Sequence, residues 1–128
     1  MIEPRFLSVE QVQRLHRKLI ELFGGTHGLR DPGLCESAVI HPRNAYYYGH
    51  GDLFDVAAAY AFHIAQAQAF LDGNKRTGVA AALTFLDENG VIVPESTEQF
   101  YEAMIAVAEG RMNKTQLAAL LRLVTGGA

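Results

Sequence analysis

From Leu53 to about Gln68 the chain reads LFDVAAAYAFHIAQAQ, a helical stretch that is apolar on nearly every side, and this constrains the fold more than any other feature. A helix without a polar face cannot lie on a surface, so it must sit in the middle of a bundle. Asp52 ahead of it is a natural N-cap. A second buried run follows at once: over residues 75 to 89, Val79, Leu83, Phe85 and Leu86 recur among a row of alanines that allow close helix approach, and Asn89-Gly90 ends the run. The two apolar runs therefore meet at one short joint, Phe70-Leu71-Asp72-Gly73-Asn74-Lys75-Arg76-Thr77.

The remaining elements are read from caps and periodicity. Ser8-Val9-Glu10-Gln11 is a capping box, and Val12, Leu15, Leu19 and Leu22 give a first amphipathic helix that Gly24-Gly25 stops. Asp31-Pro32 opens a short helix through Leu34, Ala38 and Val39 that is expected to end before Pro42. His41 to Gly51, HPRNAYYYGHG, lacks a helical period and is expected to form a loop or small hairpin flap. After the extended connector Val91-Ile92-Val93-Pro94, a box from Ser96 to Gln99 starts a helix with Phe100, Met104 and Val107 inward, closed by Gly110. Asn113 to Gln116 repeats the box ahead of Leu117, Leu120, Leu121 and Val124. The expectation is an all-α, compact six-helix bundle in which residues 1–128 form a single domain.

At the joint, a helix starting near residue 75 leaves its first backbone N–H groups without intrahelical partners, at the positive end of the helix dipole. Lys75 and Arg76 add charge where the dipole disfavours it, unless an anion compensates. A phosphate in this turn could take backbone N–H bonds, a bond from the Asn74 amide and a forked pair from Arg76, with Gly73 allowing the close turn. Asp72 is the candidate magnesium ligand. The plainer reading is an interhelical turn with Asn74 as N-cap and two solvated cations.

With 49% hydrophobic and 20% charged residues the 128-residue chain suits a globular domain with a core. A net charge of −3 argues against general binding to nucleic acid or an acidic membrane. Stretches such as Val56 to Phe62 are far shorter than the roughly 20 residues a bilayer requires. One cysteine, Cys35, and no signal-like start point to the cytoplasm.

The segments AFLDGNKRTG, GLRDPGLCESAVIHP and TFLDENG, in their order and spacing, resemble the Doc (death-on-curing) branch of the Fic/Doc family over nearly the whole chain. The resemblance implies a helical domain whose motif loop binds nucleotide phosphates, using ATP and Mg2+ to move a phosphate or an AMP onto a protein hydroxyl. For the Doc branch it implies the toxin half of a toxin–antitoxin pair that phosphorylates elongation factor Tu. It assigns Asp72 to magnesium or phosphate orientation, Gly73 to the turn, Asn74 and Arg76 to the anion hole, Lys75 to added charge, and Phe70 to a buried anchor.

One position departs from the pattern. Where the family motif begins with a general-base histidine, this chain has Gln68, whose amide cannot take a proton. His63, five residues earlier, lies some 140° around the same helix and reads as a packing histidine. His50 in the tyrosine-rich segment is a better-placed substitute base, against a solvent-exposed role. Tyr46, Tyr47 and Tyr48 read either as a target-docking flap or as cover for the bundle rim. His27, His41 and Cys35 lack zinc-ligand spacing. The family's inhibitory pattern of Ser or Thr four residues before Glu is absent, since Ile105 precedes Glu109-Gly110, so inhibition is expected from a separate antitoxin protein. A phosphotransferase weakened at Gln68 and a nucleotide- or antitoxin-binding module without catalysis both fit these residues.

Overall fold

The computed structural model describes residues 3–49 and 51–125. His50 lies outside them. Six helices follow one another: α1 (Val9–Phe23), α2 (Pro32–Gly49), α3 (Leu53–Ala67), α4 (Asn74–Glu88), α5 (Glu98–Ala108) and α6 (Lys114–Val124). No strand occurs among the described residues, only an isolated antiparallel bridge between Leu29 and Phe70. No described helix is long and apolar enough to cross a membrane.

Helix α3 is the centre, as its all-round apolar sequence requires. Val56, Ala57, Ala58, Tyr60 and Ala61 are fully enclosed, and α2, α4, α5 and α6 pack around them. Its N-terminus has a complete capping box, with the Asp52 carboxylate accepting from Phe54 and Asp55 N–H. The closest approach to α4 is at Gly78, where an added Cβ would stand 2.7 Å from the Ala61 carbonyl oxygen. The small residues thus set the distance between the two helices that carry the joint. Gly78→Ala should therefore destabilise the fold by about 1–3 kcal/mol through forced separation, outweighing the helix-propensity gain of about 1 kcal/mol. A shift of the urea midpoint to lower concentration is the expected result.

Three expectations are corrected. Helix α2 does not stop before Pro42 but continues to Gly49 with that proline inside it, so the described part of the tyrosine segment is helical and not a loop or hairpin flap. Tyr46 and Tyr47 pack on Phe6, with ring centroids 5.8 and 5.9 Å away, and the Tyr47 hydroxyl donates to Glu3 at 2.7 Å. Burial of Pro42 itself and these contacts with the N-terminal segment offset the missing proline N–H, a cost of about 3 kcal/mol in an isolated helix. Second, α1 is rotated from the expected register: Val12, His16 and Ile20 are buried, whereas Leu22 is 74% exposed. Third, α5 is capped at Thr97 without a side-chain bond, so Ser96 to Gln99 is not a working capping box. The boxes at Ser8 and Asn113 form as expected.

Candidate anion-binding site

The joint between α3 and α4 is built from backbone that the rest of the chain holds in place. Helix α3 ends at Gln68, which adopts the left-handed conformation (φ 53°, ψ 38°) and is the single non-glycine residue with positive φ among those described. Such a conformation costs an ordinary side chain about 1–2 kcal/mol and persists only where neighbours enforce it. Arg30 is the enforcing neighbour. Its guanidinium donates to the Gln68 carbonyl through Nε at 2.9 Å and through Nη2, while Arg30 and Asp31 N–H both donate to the Ala69 carbonyl. Leu71 N–H donates to Gly28 O, completing the short pairing of residues 28–31 with 69–71.

Gly73 follows in the left-handed region (φ 75°) as the N-cap of α4, with no side-chain cap bond. The first bond of the helix is Thr77 N–H to Gly73 O. The N–H groups of Asn74, Lys75 and Arg76 have no acceptor among the described residues, and they are at the positive end of a helix with no acidic residue in its first turn. Gly73, Asn74, Lys75 and Arg76 line one cavity of about 250 Å³ together with Asp72, Gln68, Phe23 and Tyr101. Dipole, free donors and two cations converge on the same space, an arrangement that selects an anion.

Each side chain expected here has a definite place. Arg76 lies between two rings, its Cζ 4.1 Å from the centroid of Phe23 and 4.2 Å from that of Tyr101, with Nη1 3.4 Å from Glu98 Oε1. Glu98 is 62% exposed, so this ion pair contributes about 0–1 kcal/mol, whereas each cation–π contact contributes about 0.5–2 kcal/mol. The rings, not Glu98, fix the guanidinium, and Arg76 is part of the cavity lining. Lys75 lines this cavity and a second one of about 220 Å³ beside it, shared through Gln68.

Asp72 is at the rim. Its Oδ1 accepts from Gly73 N–H at 2.9 Å and its Oδ2 from Thr26 N–H at 3.1 Å, which orients the carboxylate and leaves lone pairs on both oxygens. A carboxylate beside an anion site repels a polyphosphate unless a divalent cation lies between them. Among the described residues no cluster of three or more His, Cys, Asp or Glu could hold a metal. Asp72 is the one carboxylate in the cavity lining, and a lone carboxylate holds magnesium only where phosphates supply further ligands.

Asn74 is placed differently from the expectation. Its side chain is buried and closes a ring with the Phe70 backbone, Oδ1 accepting from Phe70 N–H at 3.1 Å and Nδ2 donating to Phe70 O at 3.0 Å. The amide clamps the turn, and its Nδ2 also faces Gln68 Oε1 at 3.5 Å, whereas the Asn74 backbone N–H has no acceptor among the described residues. Gln68 is exposed, and its Nε2 donates back to Ala65 O at 3.0 Å, so its amide is engaged by its own helix.

His63 behaves as a packing residue. It stacks on His41 with centroids 3.9 Å apart, and Lys114 Nζ donates to its Nε2 at 3.1 Å. Burial first, then the charges of His41 and Lys114, lower its pKa from 6.5 to about 4. A depressed folded pKa means that the unfolded chain takes up the proton first, so stability present above pH 6.5 should fall as pH drops toward 4. Thermal unfolding across that window should show a shallower pH dependence in His63→Gln.

Four residues of this site carry no sequence-based assignment. His16 was legible only as the middle of Val12-His16-Ile20 at fourfold spacing, and Arg30 only as part of GLRDPG. Phe23 and Tyr101 give no local signal, because each reaches Arg76 from a different helix.

Comparison with known proteins identifies the family. The Fic/DOC family model matches residues 6–86, a span that includes every element of the joint. The chain belongs to the Fic/DOC family. Within it, the chain is 36% identical over 126 residues to "Protein kinase doc" of Escherichia phage P1, covering 97% of this chain and 98% of that protein. It is 49% identical over 72 residues to "Toxin Doc" of Mycolicibacterium smegmatis, covering 54% of this chain and 55% of that one. Both relatives are Doc proteins, which supports the Doc branch over the rest of the family.

Proposed function

We propose that this chain is a Doc-type toxin of the protein-phosphotransferase kind, which binds the phosphates of ATP with Mg2+ at residues 72–76 and acts slowly because Gln68 replaces the base. The observation carrying this reading is the convergence of three unpartnered N–H groups with Lys75, Arg76 and Asp72 on one cavity. Two relatives whose names are those of a kinase and a toxin support it. The backbone N–H groups and Arg76 would hold the phosphoryl oxygens, Lys75 would add charge, and Gly73 would let the phosphate approach the backbone. Asp72 would hold magnesium, which supplies charge neutralisation between the phosphates. The acceptor is a protein hydroxyl, on a translation factor such as elongation factor Tu, and the controlling partner is an antitoxin protein; both place the work in the cytoplasm. Titrating the unaltered protein with Mg–ATP and with Mg–tripolyphosphate tests the site directly. Saturable binding of both is expected, and binding of neither overturns the reading.

The Gln68 geometry favours a second reading, a nucleotide- or antitoxin-binding module without catalysis. Its amide donates to Ala65 and has no basic site to accept a proton. Incubation with Mg–ATP and elongation factor Tu separates the two: target phosphorylation above background removes the second reading, and tight binding without it removes the first.

A further inference from the structure

The anion-binding turn rests on a buried polar residue that none of the steps above uses. His16 is 2% exposed and occupies the inward stripe of α1 between Val12 and Ile20, where an apolar side chain would fill the space without desolvating an imidazole. Its ring lies flat on Phe70, with centroids 3.9 Å apart and planes 10° from parallel. Its Nε2 is 2.8 Å from the Asp72 carbonyl oxygen. A carbonyl only accepts, so Nε2 carries the hydrogen.

We propose that His16 is the positioning residue of the anion turn, its Nε2–H fixing the Asp72–Gly73 peptide from which the free N–H groups of α4 are presented. This rests on the anion-site reading above. In a trans peptide the C=O and N–H point in opposite directions, so holding the Asp72 carbonyl toward α1 turns the Gly73 N–H away from α1. That N–H donates to Asp72 Oδ1 at 2.9 Å, so the same contact orients the carboxylate at the cavity rim. Gly73 then starts α4 through its own carbonyl to Thr77 N–H, and a side chain at that position would meet Ile20 at 3.1 Å and His16 at 3.7 Å. This hydrogen bond acts together with the Thr26 N–H on Asp72 and the Asn74 clamp on Phe70 to direct the acid and the donors.

His16→Phe keeps the flat ring on Phe70 and removes the donor. In the ligand-free protein, amide hydrogen exchange at Gly73 and Thr77, the two bonded N–H groups of the turn, should rise at least about tenfold, as expected for loss of one buried bond, while exchange in α3 and α6 is unchanged. Affinity for Mg–tripolyphosphate should fall by a similar factor. His16→Gln, which retains a donor of comparable reach, should recover part of both effects, a rescue that a purely space-filling role does not predict. Unchanged turn exchange in folded His16→Phe overturns the proposal, as does unchanged affinity. If the phenylalanine variant does not fold, His16→Gln decides: near-native turn exchange supports the proposal and fast exchange overturns it. If the unaltered protein binds no polyphosphate, the anion reading fails, and the exchange measurement still judges His16 alone.

Discussion

Gln68→His is expected to raise target phosphorylation by about 10²–10⁴-fold, the usual contribution of a placed general base. The backbone at this position is ready for it. Residue 68 sits in the left-handed region, where histidine occurs several-fold more often than most non-glycine residues, so the exchange should cost no stability relative to glutamine. The Arg30 guanidinium holds the carbonyl and not the side chain, so the conformation should survive the substitution. Residue 68 lines the cavity that holds Lys75 and Arg76, so an imidazole at this position would be within the same site as the proposed phosphate-binding groups. The end of α3 places helix carbonyls near it, which favours the protonated form after the acceptor hydroxyl has given up its proton. The measurement is radiolabel transfer from ATP to elongation factor Tu, with growth arrest on expression as the cellular counterpart. If the histidine variant is folded, binds Mg–ATP and remains inert toward candidate protein targets, the phosphotransferase reading fails and the binding-module reading stands.

Much of this architecture was readable because it is written in local chemistry. Asp52, Ser8 and Asn113 mark helix starts whose capping bonds form within a few residues, and the apolar circumference of α3 dictates its central place. The residues of the candidate site were readable as neighbours for the same reason: helix start, glycine turn and cations are adjacent in sequence, and they line one cavity. What sequence reasoning missed depends on partners far along the chain. Pro42 reads as a stop because the cost of an internal proline is local, whereas the compensation comes from Phe6 and Glu3 packing on Tyr46 and Tyr47. Asn74 is a different case: Phe70 is only four residues away, but an amide beside a glycine turn reads equally well as a cap, a ligand donor or a turn clamp until the backbone is folded. The register of α1 was misread because Leu22 is a stronger hydrophobe than His16, although the turn needs the imidazole and solvent tolerates the leucine.

Arg76→Ala should weaken Mg–ATP binding by about 10–100-fold, since hydrogen bonds to charged groups contribute about 1.5–3 kcal/mol and each 1.4 kcal/mol is a factor of ten. The effect is large because the guanidinium is already ordered: Phe23 and Tyr101 hold it on both faces, so little side-chain entropy remains to be lost when an anion arrives. Arg76→Lys separates charge from geometry. It keeps the cation but gives up the flat stack and the forked bond, so its affinity should fall between the other two. Phe23→Leu should also reduce affinity, by about threefold to tenfold, although Phe23 carries no charge, because a guanidinium freed on one face must be ordered by the ligand. Calorimetric titration at two salt concentrations checks all three: the wild-type affinity should decline with salt, and that decline should be smaller in Arg76→Ala. Equal affinities for Arg76→Ala and the unaltered chain would mean that the phosphates lie elsewhere, and the convergence of donors at the start of α4 would then have no ligand to explain it.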